Sequence, residues 1–175
     1  MLTLAPSNSV VYDNLFDKPV ITNWNGYTGG YNAYITSYSR LQPTQTNDLI
    51  LSAEPSYQAG PLGGYYLLST ATNLINKGST SAANVTLYHY TVTANIVGGL
   101  EIKETNSVVD VNYHYVATDT NGIPISTPGD GIPDYLEDTN GDGVYDSGDL
   151  GNWQVYNSPN GLISGSGLEV FTPLK

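Results

Sequence analysis

The sequence predicts a mainly β protein, and three observations carry that reading. Short runs rich in Val, Ile, Thr and Tyr are separated by Gly and Pro punctuation. No window before residue 119 shows a helical period of apolar residues. A seven-residue string also recurs: Leu87-Tyr88-His89-Tyr90-Thr91-Val92-Thr93 returns as Asn112-Tyr113-His114-Tyr115-Val116-Ala117-Thr118, at a spacing in the range of one solenoid turn. The expected body, residues 1–118, is a short parallel β-solenoid in which the two copies stack Tyr and His as ladders. A β-sandwich is the alternative.

Taken in order, the expected strands are residues 10–12, 20–24, 49–52, 65–68, 85–94 and 108–116. Asn25-Gly26, Gly29-Gly30, Gly60-Pro61, Gly63-Gly64 and Gly98-Gly99 read as the turns and loops between them. Residues 119–150 form an acidic segment. Residues 151–175 read as a turn around Pro159 and a last strand over 168–171, which pairs with the body or with another molecule.

Composition excludes several classes of function. The chain has 175 residues, with 16 acidic and 5 basic side chains and a net charge of -11. Lys18, Arg40, Lys77, Lys103 and Lys175 make no patch able to neutralise several phosphates, so nucleic acid is not a partner. No apolar run is long enough to span a bilayer, and the first fifteen residues lack the basic start and apolar centre of a signal peptide. The absence of Cys removes disulfides, zinc knuckles and thiol nucleophiles.

Candidate acid–base groups are sparse, and the chain reads as a non-enzyme. His89 and His114 each stand between two tyrosines with no acid at ligand spacing, which suits a stacked or hydrogen-bonded structural role. Glu101 and Glu104 form a close pair that a solvated loop explains, and there is no Gly-x-Ser-x-Gly elbow. The aromatic stretch with Trp24, Tyr27, Tyr31 and Tyr34 either fills a thin core or forms a glycan- or partner-binding surface.

Half of the carboxylates, namely Asp119, Asp130, Asp134, Glu137, Asp138, Asp142, Asp146 and Asp149, fall in one segment that contains no Lys or Arg. Such a segment repels itself unless a cation holds it. Within it, residues 138–149 fit a twelve-residue calcium loop. Calcium takes six to eight oxygens, supplied from positions 1, 3, 5, 7, 9 and 12, with Gly at position 6 for the sharp turn. Asp138, Asn140, Asp142, the Val144 carbonyl, Asp146 and Asp149 fill the six ligand positions, and Gly143 the turn. Asp replaces Glu at position 12, and its shorter arm weakens binding or changes the loop path. Upstream, Asp130, Gly131, Ile132, Asp134 and Glu137 match positions 5, 6, 7, 9 and 12 of a second loop, whose positions 1 and 3 fall on Ser126 and Pro128. Asp119 and Asn121 are the nearest donors that could complete it. One Ca2+ is expected, with a second as a possibility.

On these residues the chain resembles the C-terminal region of bacterial surface or secreted proteins that join right-handed parallel β-helix repeats to thrombospondin type 3-like calcium segments. The resemblance is carried by Gly63-Gly64-Tyr65-Tyr66-Leu67, Leu74-Ile75-Asn76-Lys77-Gly78-Ser79, residues 111–117 and Asp130-Gly131-Ile132-Pro133-Asp134-Tyr135-Leu136-Glu137-Asp138. Asn73 stands where the rung-end pattern usually has Pro, and Ser126 and Pro128 replace ligand acids. Dockerin modules share the loop chemistry but need two complete loops. The resemblance implies an extracellular or cell-surface, non-catalytic calcium-binding module that self-associates, as a homo-oligomer or filament. The alternative is a glycan-binding or polysaccharide-acting β-helix fragment.

Overall fold

The computed structural model describes residues 9–21, 26–36 and 38–156. The predicted final strand at 168–171, Trp24 and most of the predicted strand at 20–24 lie outside these residues. The fold is mainly β, with strands β1 (Val10–Tyr12), β2 (Leu15–Phe16), β3 (Thr28–Gly30), β4 (Ala33–Ile35), β5 (Leu49–Leu51), β6 (Tyr57–Gly60), β7 (Gly63–Leu67), β8 (Tyr90–Thr91), β9 (Ile96–Val97), β10 (Leu100–Glu101) and β11 (Tyr115–Val116). One 3-10 turn covers Ala82–Val85 and one helical turn, α1, covers Asp134–Glu137.

The first third of the body is parallel. β1 runs beside β3, and β2, β4 and β5 form a three-stranded parallel sheet with Leu15, Ala33 and Leu49 in register. Equivalent side chains therefore stack: the Phe16 and Tyr34 rings lie 5.0 Å apart and within 2° of parallel. The corner before each of these strands carries an Asn or Asp. Asn14 N–H donates to Asn32 Oδ1 at 3.1 Å, and Asn32 N–H donates to Asp48 Oδ1 at 3.1 Å. Each side chain thus satisfies a backbone donor that the irregular corner leaves without a ladder partner.

β4 is buried on both faces. Ala33 and Ile35 face one core with Leu51, Leu67, Leu74, Val92 and Val111, while Tyr34, one residue out of phase, joins Tyr27 and Leu41 in a second. The strand period of two makes this division. Asp13 ties these rungs to the middle of the chain, accepting from Ser79 N–H and Ser79 Oγ at 2.7 Å each. Next to it, a Cβ on Gly78 would lie 2.3 Å from Val109 Cγ1, so the crossing admits only glycine.

Beyond β5 the strands pair antiparallel, in the hairpins β6–β7 and β9–β10 and in the pair β8–β11, with one isolated parallel bridge between Leu67 and Thr93. The two copies of the recurring string do meet, but Tyr115 lies opposite Thr91 and Val116 opposite Tyr90 in antiparallel register. The expected Tyr and His ladders do not form, because antiparallel pairing reverses one copy against the other. The single strand predicted over 85–94 is interrupted by the 3-10 turn and by Thr86 at φ 67. Only Tyr115–Val116 of the predicted strand at 108–116 is strand. Gly29-Gly30 and Gly63-Gly64, expected as turns, lie within β3 and β7. Gly98-Gly99 is a hairpin turn with positive φ at both residues, as its composition requires.

Candidate cation loops and the buried polar cluster beneath them

The acidic segment is packed on the body. Ile125 N–H donates to the Ala117 carbonyl and Tyr88 N–H to the Gly141 carbonyl. Gly141 and Gly143, both at positive φ, are the points of closest approach: a Cβ on Gly141 would lie 2.5 Å from the Thr86 carbonyl oxygen, and one on Gly143 2.2 Å from Tyr88 Cε2. Trp153 closes the segment, its ring 5.0 Å from His89 and 5.7 Å from Tyr88.

All six residues expected to hold calcium lie along one closed turn of chain. Asp138 Oδ2 accepts from Gly143 N–H at 2.7 Å, which draws position 1 toward the position-6 glycine. Asp142 Oδ1 accepts from Val144 N–H, and Asp146 Oδ1 from Gly148 N–H, both at 2.7 Å. Asp149 closes the loop, its carboxylate taking Thr139 N–H at 2.9 Å and Asp146 N–H at 2.8 Å. Asp138 and Asp149 are buried. As these side chains stand, they are turned to the loop's own N–H groups, and no three His, Asp or Glu side chains among the described residues are gathered closely enough to hold a metal ion.

The upstream half-loop repeats part of this geometry. Asp130 Oδ1 accepts from Ile132 N–H at 3.0 Å, as Asp142 does from Val144, and Gly131 has φ 88 against 81 at Gly143. Position 12, Glu137, is buried with both carboxylate oxygens lacking a hydrogen-bond partner. Burial first, then the nearby Asp130 and Asp134 carboxylates, push its pKa up to about 7. Asp119 and Asn121 do not complete this loop. The Asp119 carboxylate is taken up by its own turn, accepting from Asn121 N–H and Ile123 N–H.

Asp134, position 9 of the half-loop, faces the body instead. Its Oδ2 lies 2.5 Å from Lys103 Nζ and 2.5 Å from Thr127 Oγ1, and its Oδ1 accepts from Thr127 N–H at 2.6 Å. The segment contains no cation of its own, but the tertiary structure brings it one. Lys103 Nζ also donates to His89 Nδ1 at 3.0 Å, and His89 Nε2 meets Asp138 Oδ2 at 2.7 Å. Lysine has only donors, so Nδ1 is the acceptor and the ring carries its proton on Nε2. Burial, and then the Lys103 ammonium, push the His89 pKa down, which keeps this ring neutral.

His114 meets Glu104 Oε1 at 2.7 Å. Neither histidine therefore lacks an acid: the carboxylates arrive from distant or looped-out positions that sequence spacing did not reveal. Glu101 and Glu104 are buried, correcting their reading as a solvated pair. Glu101 Oε2 takes Thr118 N–H and Thr118 Oγ1, and Glu104 Oε2 takes Ser107 Oγ and Asp110 N–H. Burial, then the adjacent Glu104 carboxylate, push Asp110 up to about 7.

Of the two readings of the aromatic stretch, Tyr27 and Tyr34 follow the core one, interior with Leu41, while Tyr31 is half-buried at φ 55. Tyr65 and Tyr113 are exposed rings that flank a shallow depression with Leu62, Gly63, Gly64 and Tyr115. Among the described residues no helix is long and apolar enough to cross a membrane. No family model, curated protein or solved structure matches this chain.

Proposed function

We propose that the protein is a non-catalytic, extracellular calcium-binding structural module whose acidic segment is fastened to the β body by the ion. The observation that carries this reading is Glu137, a buried carboxylate with two unpartnered oxygens beside two further acids. An uncompensated buried carboxylate is costly, and a divalent cation relieves it. Residues 138–149 supply the first site, through Asp138, Asn140, Asp142, the Val144 carbonyl, Asp146 and Asp149. The second takes Asp130, the Ile132 carbonyl and Glu137, with Asp134 committed to Lys103. Calcium suits these sets better than magnesium, because they consist almost wholly of protein oxygens on a tolerant loop. When bound, the ion supplies charge neutralisation and a fixed loop path. Outside cells calcium is abundant enough to fill sites of modest affinity.

The body is read as a short parallel solenoid at its start, on the strength of the in-register β2, β4 and β5 and the Asn14, Asn32 and Asp48 corner. Open parallel rungs favour stacking of copies, so self-association into an oligomer or filament belongs to the same proposal.

The test is calcium titration by calorimetry, with thermal unfolding in chelator and in millimolar calcium. Two ions and a large rise in melting temperature are expected. The absence of both binding heat and a melting shift would overturn the reading. Light scattering at high concentration in calcium tests self-association, and monomer alone would remove that part.

A further inference from the structure

We propose that Lys103 and Asp134 form an intramolecular amide bond, a cross-link between the body and the acidic segment. The inference rests on the groups assembled around this pair, of which Asp138 is also a ligand of the first proposed calcium site.

Lys103 Nζ and Asp134 Oδ2 are 2.5 Å apart, closer than the about 2.7–2.9 Å of an ordinary ammonium–carboxylate hydrogen bond. Their side chains are 11% and 1% exposed, so bulk water is held away from both. Beside the amine, His89 Nδ1 lies 3.0 Å from Nζ with its lone pair toward it, and Asp138 holds the opposite face of the ring through Nε2. On the carboxyl group, Thr127 N–H donates to Oδ1 at 2.6 Å, where negative charge develops when the carbon becomes tetrahedral. Thr127 Oγ1 donates to Oδ2 at 2.5 Å, the oxygen that departs. The Trp153 ring covers Lys103, its centroid 5.2 Å from Nζ. A nucleophile, an oriented base, an oxyanion donor and a hydroxyl on the leaving oxygen thus meet in one dry site.

A proton passing from the Nζ ammonium to Oδ2 leaves a neutral amine beside a neutral acid. The amine lone pair forms the Nζ–Cγ bond, and the carbonyl electron pair moves to Oδ1 under the Thr127 N–H. His89 Nδ1 takes one proton from Nζ and delivers it to Oδ2. The Oδ1 pair reforms the carbonyl, the Cγ–Oδ2 bond breaks, and one water departs. Amine plus acid gives amide plus water, with no oxidant, reductant or further reactant.

The experiment is intact mass of the full chain in denaturant, followed by tryptic mapping. The expected mass is lower than the sequence mass by one water. Trypsin should fail to cut after Lys103, leaving residues 78–175 as one peptide that is lighter by one water and closed into a loop between Lys103 and Asp134. Lys103→Arg, which keeps the charge pair but has no primary amine, should show the full mass, as should Asp134→Ala. His89→Gln should emerge from expression as a mixture of the two masses. A folded wild type with the full mass overturns the proposal, with circular dichroism reporting folding. Loss of one water that persists in Lys103→Arg also overturns it, since the water is then lost elsewhere. Complete cross-linking in His89→Gln removes the role given to the histidine.

Discussion

Asn32 donates its backbone N–H to Asp48 Oδ1 while its own Oδ1 accepts from Asn14 N–H, so one residue links three successive corners of the parallel sheet. The same Asp48 takes Gln45 N–H at 3.2 Å through its other oxygen. Asp48→Ala leaves two backbone donors without their acceptor, one of them on the buried Asn32. The expected loss is about 1–3 kcal/mol. Asp48→Asn keeps one oxygen and should recover much of it. Urea unfolding of both variants checks the order.

Docking of the 138–149 loop on the body depends on the missing Cβ at position 143. Gly143→Ala meets the Tyr88 ring at a positive φ and should cost roughly 2–4 kcal/mol. At Gly64 nothing lies within 4 Å of the added carbon and φ is not positive, so Gly64→Ala should change stability by less than about 1 kcal/mol. Thermal melts of the pair separate backbone conformation and contact from a general effect of losing glycine.

Acid should stabilise the protein around Asp110. Its pKa is raised to about 7 by burial and by Glu104, above the ordinary value of 3.8 that the unfolded chain has. The folded state therefore binds the proton more tightly. Its contribution is greatest below about pH 4 and is lost as pH rises through about 7. In chelator, the melting temperature should rise between pH 8 and pH 5. Asp110→Asn should remove its part of that rise, leaving the part that belongs to Glu137, and be more stable than wild type at pH 8.

Glu137→Gln should have opposite effects in two buffers. In chelator it removes a buried, unpartnered charge and should raise the melting temperature. In calcium it removes a ligand, and the gain of roughly 3 kcal/mol expected at a hundredfold excess over Kd should shrink. Asp149→Ala should reduce calcium binding without the gain in chelator, because Asp149 also holds Thr139 N–H and Asp146 N–H. Scanning calorimetry of the three proteins in both buffers checks this.

The sequence by itself determined the β class and the closed turn of chain over residues 138–149, because both are local. Strand propensity, the Gly98-Gly99 turn and the spacing from Asp138 to Asp149 depend on neighbours along the chain. A corner pattern is also legible there: Asn14, Asn32 and Asp48 each stand immediately before one of the three in-register strands. The Tyr-His-Tyr copies misled because similarity along the chain gives no strand direction, and their pairing is antiparallel.

Only the tertiary structure decided which charges are buried and what neutralises them. Glu101 and Glu104 read as surface acids, yet Thr118, Ser107 and His114 supply their hydrogen bonds inside the fold. The acidic segment holds no Lys or Arg, yet Lys103 reaches it from across the body. Desolvation and pairing are properties of three-dimensional proximity. Residues 89, 103, 134 and 138 carry no common spacing, and they become one site only when the chain folds.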